Sequence, residues 1–141
     1  MNKYHFIFDK TKSAKKLKKI FTYKYKNISI KKADLIIVAG GDGFMLSILK
    51  KYYKFKKPFY GINCGTIGFL MNKFAGNNLE KTIKKTKKFI INPLEVKILT
   101  TNKKKFNTIA INEISLLRQS RQTSILNLKI NNKELIKKLI G

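Results

Sequence analysis

Leu35-Ile36-Ile37-Val38-Ala39 is an unbroken aliphatic run of strand length, which predicts a strand buried on both faces of a parallel sheet. It runs straight into Gly40-Gly41-Asp42-Gly43. Beyond the glycines, Met45, Ile48, Leu49 and Tyr52 recur at i, i+3, i+4 and i+7, the apolar stripe of a helix packed on that sheet. Upstream, Tyr4 to Phe8 is a short apolar and aromatic run, and Ala14, Leu17, Ile20 and Phe21 fall at helical spacing, so a strand and a helix open the chain. Pro58 introduces a further strand, Phe59 to Ile62. Strand, helix, strand, turn, helix, strand is the pattern of a three-layer α/β lobe.

After residue 70 the period changes. Leu79, Ile83, Thr86 and Ile90 predict one more helix, ended by Pro93. Leu94, Val96 and Ile98 then alternate with Glu95 and Lys97, as a half-buried strand does, and Leu126, Leu128 and Ile130 repeat the pattern. Asn131-Asn132 offers two residues that tolerate positive φ, the chemistry of a tight hairpin. The expected fold is α/β: an N-terminal three-layer lobe with a parallel sheet over residues 1–75, which carries the glycine-rich turn. Residues 76–141 form a connecting helix and an incomplete, sandwich-like β-rich lobe. No internal repeat or low-complexity linker separates the two, and Lys84-Lys85 and Lys103-Lys104-Lys105 read as a solvated helix face and a loop.

Composition narrows the class. A chain of 141 residues suits one domain or two small lobes sharing a core, and 43% hydrophobic residues are enough to fold it. No apolar run approaches the ~20 residues that span a bilayer, and the N-terminus lacks the layout of a cleavable signal. The chain therefore reads as mature, cytoplasmic and free of membrane. One cysteine, Cys64, and one histidine, His5, argue against disulfide and zinc frameworks, and no metal site is assigned. The net charge of +25 points towards polyanions, but only Arg118 and Arg121 are arginines, so 30 of the 32 basic residues are lysines. Lysine is a point charge without the bidentate fork that reads bases. The charge thus reads as a compositionally biased, solvated surface, with nonspecific polyanion binding as a side effect.

Three segments carry chemistry. Gly40-Gly41-Asp42-Gly43 sits between a buried strand and a helix N-terminus, where free N–H groups can meet an anion and glycines permit positive φ and close approach. It is neither a P-loop nor a dinucleotide fingerprint, and an ordinary βα turn with Asp42 capping the helix is the competing reading. Asp42, one of seven carboxylates, can orient and deprotonate a hydroxyl nucleophile for phosphoryl transfer, where positioning carries most of the catalysis. Asn63-Cys64-Gly65-Thr66-Ile67-Gly68-Phe69-Leu70 also follows a strand and should reach the same edge, with Phe69 either facing a purine or packing in the core. In the third segment, Asn112-Glu113 interrupts an apolar strand, Ile109 to Arg118. Its polar groups need partners, either a ribose and an adenine amino group or groups of the fold itself. Cys64 reads as a small buried filler and His5 as a packed or edge residue.

Taken in order, Gly40-Gly41-Asp42-Gly43, Asn63-x-Gly65-x-x-Gly68-Phe69-Leu70 and Asn112-Glu113 followed by Arg118 resemble the bacterial NAD kinase family from about Ala33 to Gly141. The first element alone is shared with diacylglycerol and sphingosine kinases, and loosely with phosphofructokinases. The resemblance implies a transferase that phosphorylates the adenosine 2′-hydroxyl of NAD with ATP to give NADP. Asp42 would be the general base and Gly43 would lie beside the dinucleotide. The glycine-rich turn, Gly40 to Gly43, would also approach the ATP phosphates, with a divalent cation, usually Mg²⁺, neutralising them. Phe69 would pack by the adenine, and Asn112 and Glu113 would hold the nucleotide. Homo-oligomers are the implied assembly. Members of that family continue past the position of Gly141 with an Asp-Gly step and a Thr-Pro-x-Gly-Ser-Thr-Ala-Tyr stretch, so the resemblance implies a chain truncated at its C-terminus. The competing functions are a lipid or sphingoid kinase, against which Asn112-Glu113 argues, and a non-catalytic basic module that binds nucleic acid, whose mark is steep salt dependence.

Overall fold

The computed structural model describes residues 3–74 and 78–140. The chain divides after Ile111 into two compact units. In the first, β1 (Tyr4–Phe8), β2 (Leu35–Gly40) and β3 (Phe59–Asn63) form a parallel sheet in the order β1-β2-β3. The aliphatic run is the central strand, and alternate residues feed two cores. On one face Ile37 and Ala39 join Tyr4, Phe6, Tyr60 and Ile62, closed over by Phe21 of α1 (Lys12–Lys24) and Leu79 of α3 (Leu79–Lys84). On the other, Ile36 and Val38 pack with Met71 and with Met45 and Ile48 of α2 (Asp42–Tyr52). Helices on both faces make the three layers expected, and the two cores explain why β2 is apolar at every position.

The sheet edge at β1 is covered. Ile28 donates its N–H to the Tyr4 carbonyl at 3.0 Å, and the Asn27 side-chain oxygen accepts from the Phe6 N–H at 3.0 Å. His5 meets the Ile28 carbonyl through Nδ1 at 2.7 Å, which makes it the edge residue the sequence suggested. A segment that satisfies an edge strand in this way removes a template for pairing with another chain. Phe21 anchors α1 through edge-on contacts with Phe6 at 5.5 Å, Tyr25 at 5.7 Å and Phe74 at 5.4 Å between ring centroids. Ile20, assigned to the same apolar stripe, is exposed.

The helix expected to reach Pro93 stops at Lys84, and Ile90 is exposed. Lys81/Lys85 and Lys84/Lys88 set like charges at i, i+4, a small penalty that α1 tolerates at Lys12/Lys16 and Lys15/Lys19 with Phe21 buried in the core, whereas beyond Lys84 no buried residue anchors a further turn. Leu79 nevertheless lies fully within the N-terminal core, and Asn78 caps the helix by accepting from the Lys81 N–H at 3.0 Å. β4 (Leu94–Leu99) and β5 (Lys105–Ala110) then pair antiparallel, with Leu94 opposite Ala110. Of the alternating residues of β4 only Val96 is buried.

The second unit holds an antiparallel pair, β6 (Ile125–Ile130) and β7 (Lys133–Ile140), with Ile130 opposite Lys133. Asn131 (φ 50°) and Asn132 (φ 62°) form the two-residue connection, matching the requirement of a primed turn for two positive φ angles. Ile125, Leu128 and Ile130 remain exposed, since a two-stranded ribbon has no second layer to bury its apolar face. The later chain is thus antiparallel and β-rich. No helix among the described residues is long and apolar enough to cross a membrane.

Candidate functional site

Parallel strands end at the same side of their sheet, so whatever follows β2 and β3 emerges side by side. Gly40 lies in register with Asn63, and the Cys64 N–H donates to the Gly40 carbonyl at 2.8 Å. The glycine turn and the Asn63–Leu70 segment therefore leave the sheet from adjacent points, as their order after two strands required. Helix α2 starts at Asp42 with Gly41 as N-cap, and no side chain bonds its first turn. Its leading N–H groups receive no side-chain cap, although the Asp42 carboxylate already places a negative charge in the first turn, and free N–H groups at a helix start are where an anion can bind.

Asp42 does not cap its own helix. Its Oδ2 accepts from the Phe69 N–H at 2.7 Å and its Oδ1 from the Leu70 N–H at 3.1 Å. The carboxylate thus joins the first and second motifs directly. A carboxylate oxygen has two lone pairs, so each retains one after these bonds. Within the second motif the Asn63 side-chain oxygen accepts from the Gly65 N–H at 2.8 Å, a local turn that asparagine favours. Asn72 then returns the segment to β3, accepting from the Asn63 N–H and donating to the Gly61 carbonyl, both at 2.9 Å.

The glycines work differently from expectation. No described glycine has positive φ; Gly41 sits at φ −106°. At Gly40 a Cβ would fall 2.6 Å from Cδ1 of Phe44, so that ring would have to shift, and at Gly68 it would fall 3.0 Å from Oδ1 of Asp42, a contact tight enough that the carboxylate would have to give. At Gly41 and Gly43 a Cβ would meet nothing within 4 Å. Neither backbone conformation nor internal packing demands glycine at those two positions.

Phe69 is 94% exposed, so its ring is not a core residue, while the neighbouring Leu70 is partly buried against the Ile36–Met45 core. Cys64 is half-buried, and burial, helped by the nearby Asp9 carboxylate, pushes its thiol above its ordinary pKa. That is the reverse of what activates a nucleophile. Asn112 and Glu113 do not interrupt a buried strand: β5 ends at Ala110, and both are exposed in the second unit. Their polarity needs no internal partner, which removes the burial argument for a functional role. Among the described residues no three His, Cys, Asp or Glu side chains stand close enough to hold a metal ion.

The sequence profile of the ATP-NAD kinase N-terminal domain matches residues 2–89, spanning β1 to the end of α3 and both glycine motifs. The chain belongs to the ATP-NAD kinase family. It is 35% identical over 136 residues to the NAD kinase of Brucella suis biovar 1, covering 96% of this chain and 53% of that protein. It is 38% identical over 117 residues to an NAD kinase of Cereibacter sphaeroides, covering 83% and 46%. With the NAD kinase of Caulobacter vibrioides the identity is 37% over 110 residues, covering 78% and 42%. The chain spans about half the length of these relatives. The bond between Asp42 and the Phe69 and Leu70 amides has no signature in the sequence pattern. The partners lie 27 and 28 residues apart, beyond the reach of any local pattern.

Proposed function

We propose that this chain is the nucleotide-handling N-terminal part of an NAD kinase, which transfers the γ-phosphoryl group of ATP to the adenosine 2′-hydroxyl of NAD. The observation that carries the reading is the pair of glycines at 41 and 43. Among the described residues neither a positive φ nor a steric clash requires glycine there, and they flank an acidic residue at a helix N-terminus with no side-chain cap. A glycine that neither backbone nor packing requires is explained by the approach of something else, and phosphate oxygens suit the free amides there.

In this reading Gly40, Gly41 and Gly43 let the main chain approach phosphates, and Phe69 lays its exposed ring against the adenine. Asn112 and Glu113 bind the nucleotide. Asp42, through the lone pairs its amide bonds leave open, orients the 2′-hydroxyl and accepts its proton. The 2′-oxygen then bonds to the γ-phosphorus while the bond to the β–γ bridging oxygen breaks, releasing ADP. Such a transfer is loose, so alignment and charge neutralisation contribute more than basicity. The described residues build no cage for a divalent cation; Mg²⁺ belongs to the reaction as a partner of the ATP substrate. The same reading includes homo-oligomeric assembly and a cytoplasmic location, and divides the protein into the α/β lobe at 1–75 and the nucleotide-binding β-rich part from 76.

The test is to incubate the folded chain with NAD, ATP and Mg²⁺ and to measure NADP, alongside calorimetric titration with each nucleotide. Binding of NAD that Phe69→Ala weakens supports the assignment. A folded chain with neither NADP formation nor nucleotide binding removes it. Competition by a sphingoid base instead of NAD would favour a lipid kinase.

A further inference from the structure

Among the described residues, the main-chain hydrogen bonds made from Thr66 to Met71 are those of Phe69 and Leu70 to one side chain, Asp42. The Phe69 ring is almost wholly exposed, so among the described residues it is the backbone, and not packing of the ring, that sets where this side chain leaves the chain. Met71 pins the far end of the segment in the core and Cys64 the near end on β2. Between those anchors the two bonds to Asp42 act together with the packing of Leu70 on the core to orient the Phe69 peptide. Gly68 fits the same arrangement: a Cβ there would crowd Asp42 Oδ1 at 3.0 Å and Met71 Cβ at 3.2 Å, so glycine lets the strap lie down on the carboxylate without displacing it.

We infer that Asp42 is a positioning residue that straps the Asn63–Leu70 segment to the start of α2 and so fixes the backbone position from which the Phe69 ring projects. What the ring receives rests on the nucleotide reading above; the strap itself does not. A base acting alone would predict that Asp42→Asn removes turnover and leaves affinity intact. A strap predicts that affinity falls as well, because the amide of Asn turns a donor NH2 towards one of the two N–H groups that now meet separate carboxylate oxygens.

The experiment follows amide hydrogen exchange by NMR in the 141-residue chain and its Asp42→Asn variant, near-isosteric at the same helix position. Exchange at Phe69 and Leu70 should speed at least ~10-fold, on the scale of losing ordered hydrogen bonds, while the Asn63 and Asn72 amides keep their protection. Because the chain has no Trp, Phe69→Trp supplies a single indole reporter. Its fluorescence anisotropy should drop, and its quenching by NAD should require several-fold more nucleotide, when Asp42→Asn is added. Equal protection at all four amides overturns the inference, as does a uniform loss, which would signal general destabilisation. Should Asp42→Asn fail to fold, Asp42→Ser, whose hydroxyl is too short to span both amides, carries the same expectations. Selective loss of protection without any quenching by NAD in the Asp42 background upholds the strap and defeats the nucleotide reading at Phe69.

Discussion

Gly68 lies over Asp42 so closely that a Cβ added to it would come within 3.0 Å of the carboxylate Oδ1. The oxygen is held by the Leu70 N–H and cannot swing away without losing that bond. Gly68→Ala should therefore destabilise the chain by about 1–3 kcal/mol, the range for overpacking a tight site. Urea unfolding monitored by circular dichroism measures it. An unchanged midpoint would mean the strap relaxes freely.

Gly43 predicts the opposite sign. It is exposed in the first turn of α2 with open space where a Cβ would go. Alanine at a helical position lowers the entropy of the unfolded chain and should stabilise by about 0.4–1 kcal/mol. If the space is the approach route of a phosphate group, Gly43→Ala should at the same time weaken nucleotide binding. A variant that melts higher and binds NAD less well separates function from folding at this position; equal affinity would leave the glycine without a role.

This contrast marks the limit of what the sequence made legible. The aliphatic run of β2 revealed a doubly covered strand because burial on both faces leaves no polar position, and the stripe of α2 located its partner face. The turn between them followed from chain order alone. What stayed hidden was the reason for each glycine: Gly40 and Gly68 answer to atoms of Phe44 and Asp42, and none of the described glycines to positive φ. Positive φ falls instead on Lys56 and Lys103, besides Asn131 and Asn132. Asn112-Glu113 looked like a buried interruption because apolar residues flank it, yet Ile114, Leu116 and Leu117 are exposed too. Local apolarity reports burial only when a second layer exists to cover it.

Tyr60 of β3 is buried in the core beneath α1 and α3, and its hydroxyl finds no hydrogen-bond partner among the described residues. Burial also raises the phenol above its ordinary pKa, since an ionised oxygen would lack solvation there. Removing an unsatisfied hydroxyl relieves a desolvation cost of order 1–3 kcal/mol and gives up no bond. Tyr60→Phe should leave the fold unchanged and raise the thermal midpoint or hold it level. A clear loss of stability would indicate a partner for the hydroxyl.

Cys64 supplies a prediction in pH. Burial first, and the Asp9 carboxylate second, hold its thiol pKa above the ordinary value, and each acts by disfavouring the thiolate. Alkylation by iodoacetamide at neutral pH should accordingly be slower than for a free thiol and should rise only at more alkaline pH. Asp9→Asn removes a negative charge near the forming thiolate, so the rate profile should move to lower pH, partway back because burial remains. The same asymmetry bears on stability. With the folded-state pKa above the unfolded one, this group's contribution is complete below the unfolded thiol pKa and fades as pH climbs through the folded value. A profile indifferent to Asp9→Asn, with folding intact, would assign the shift to burial alone.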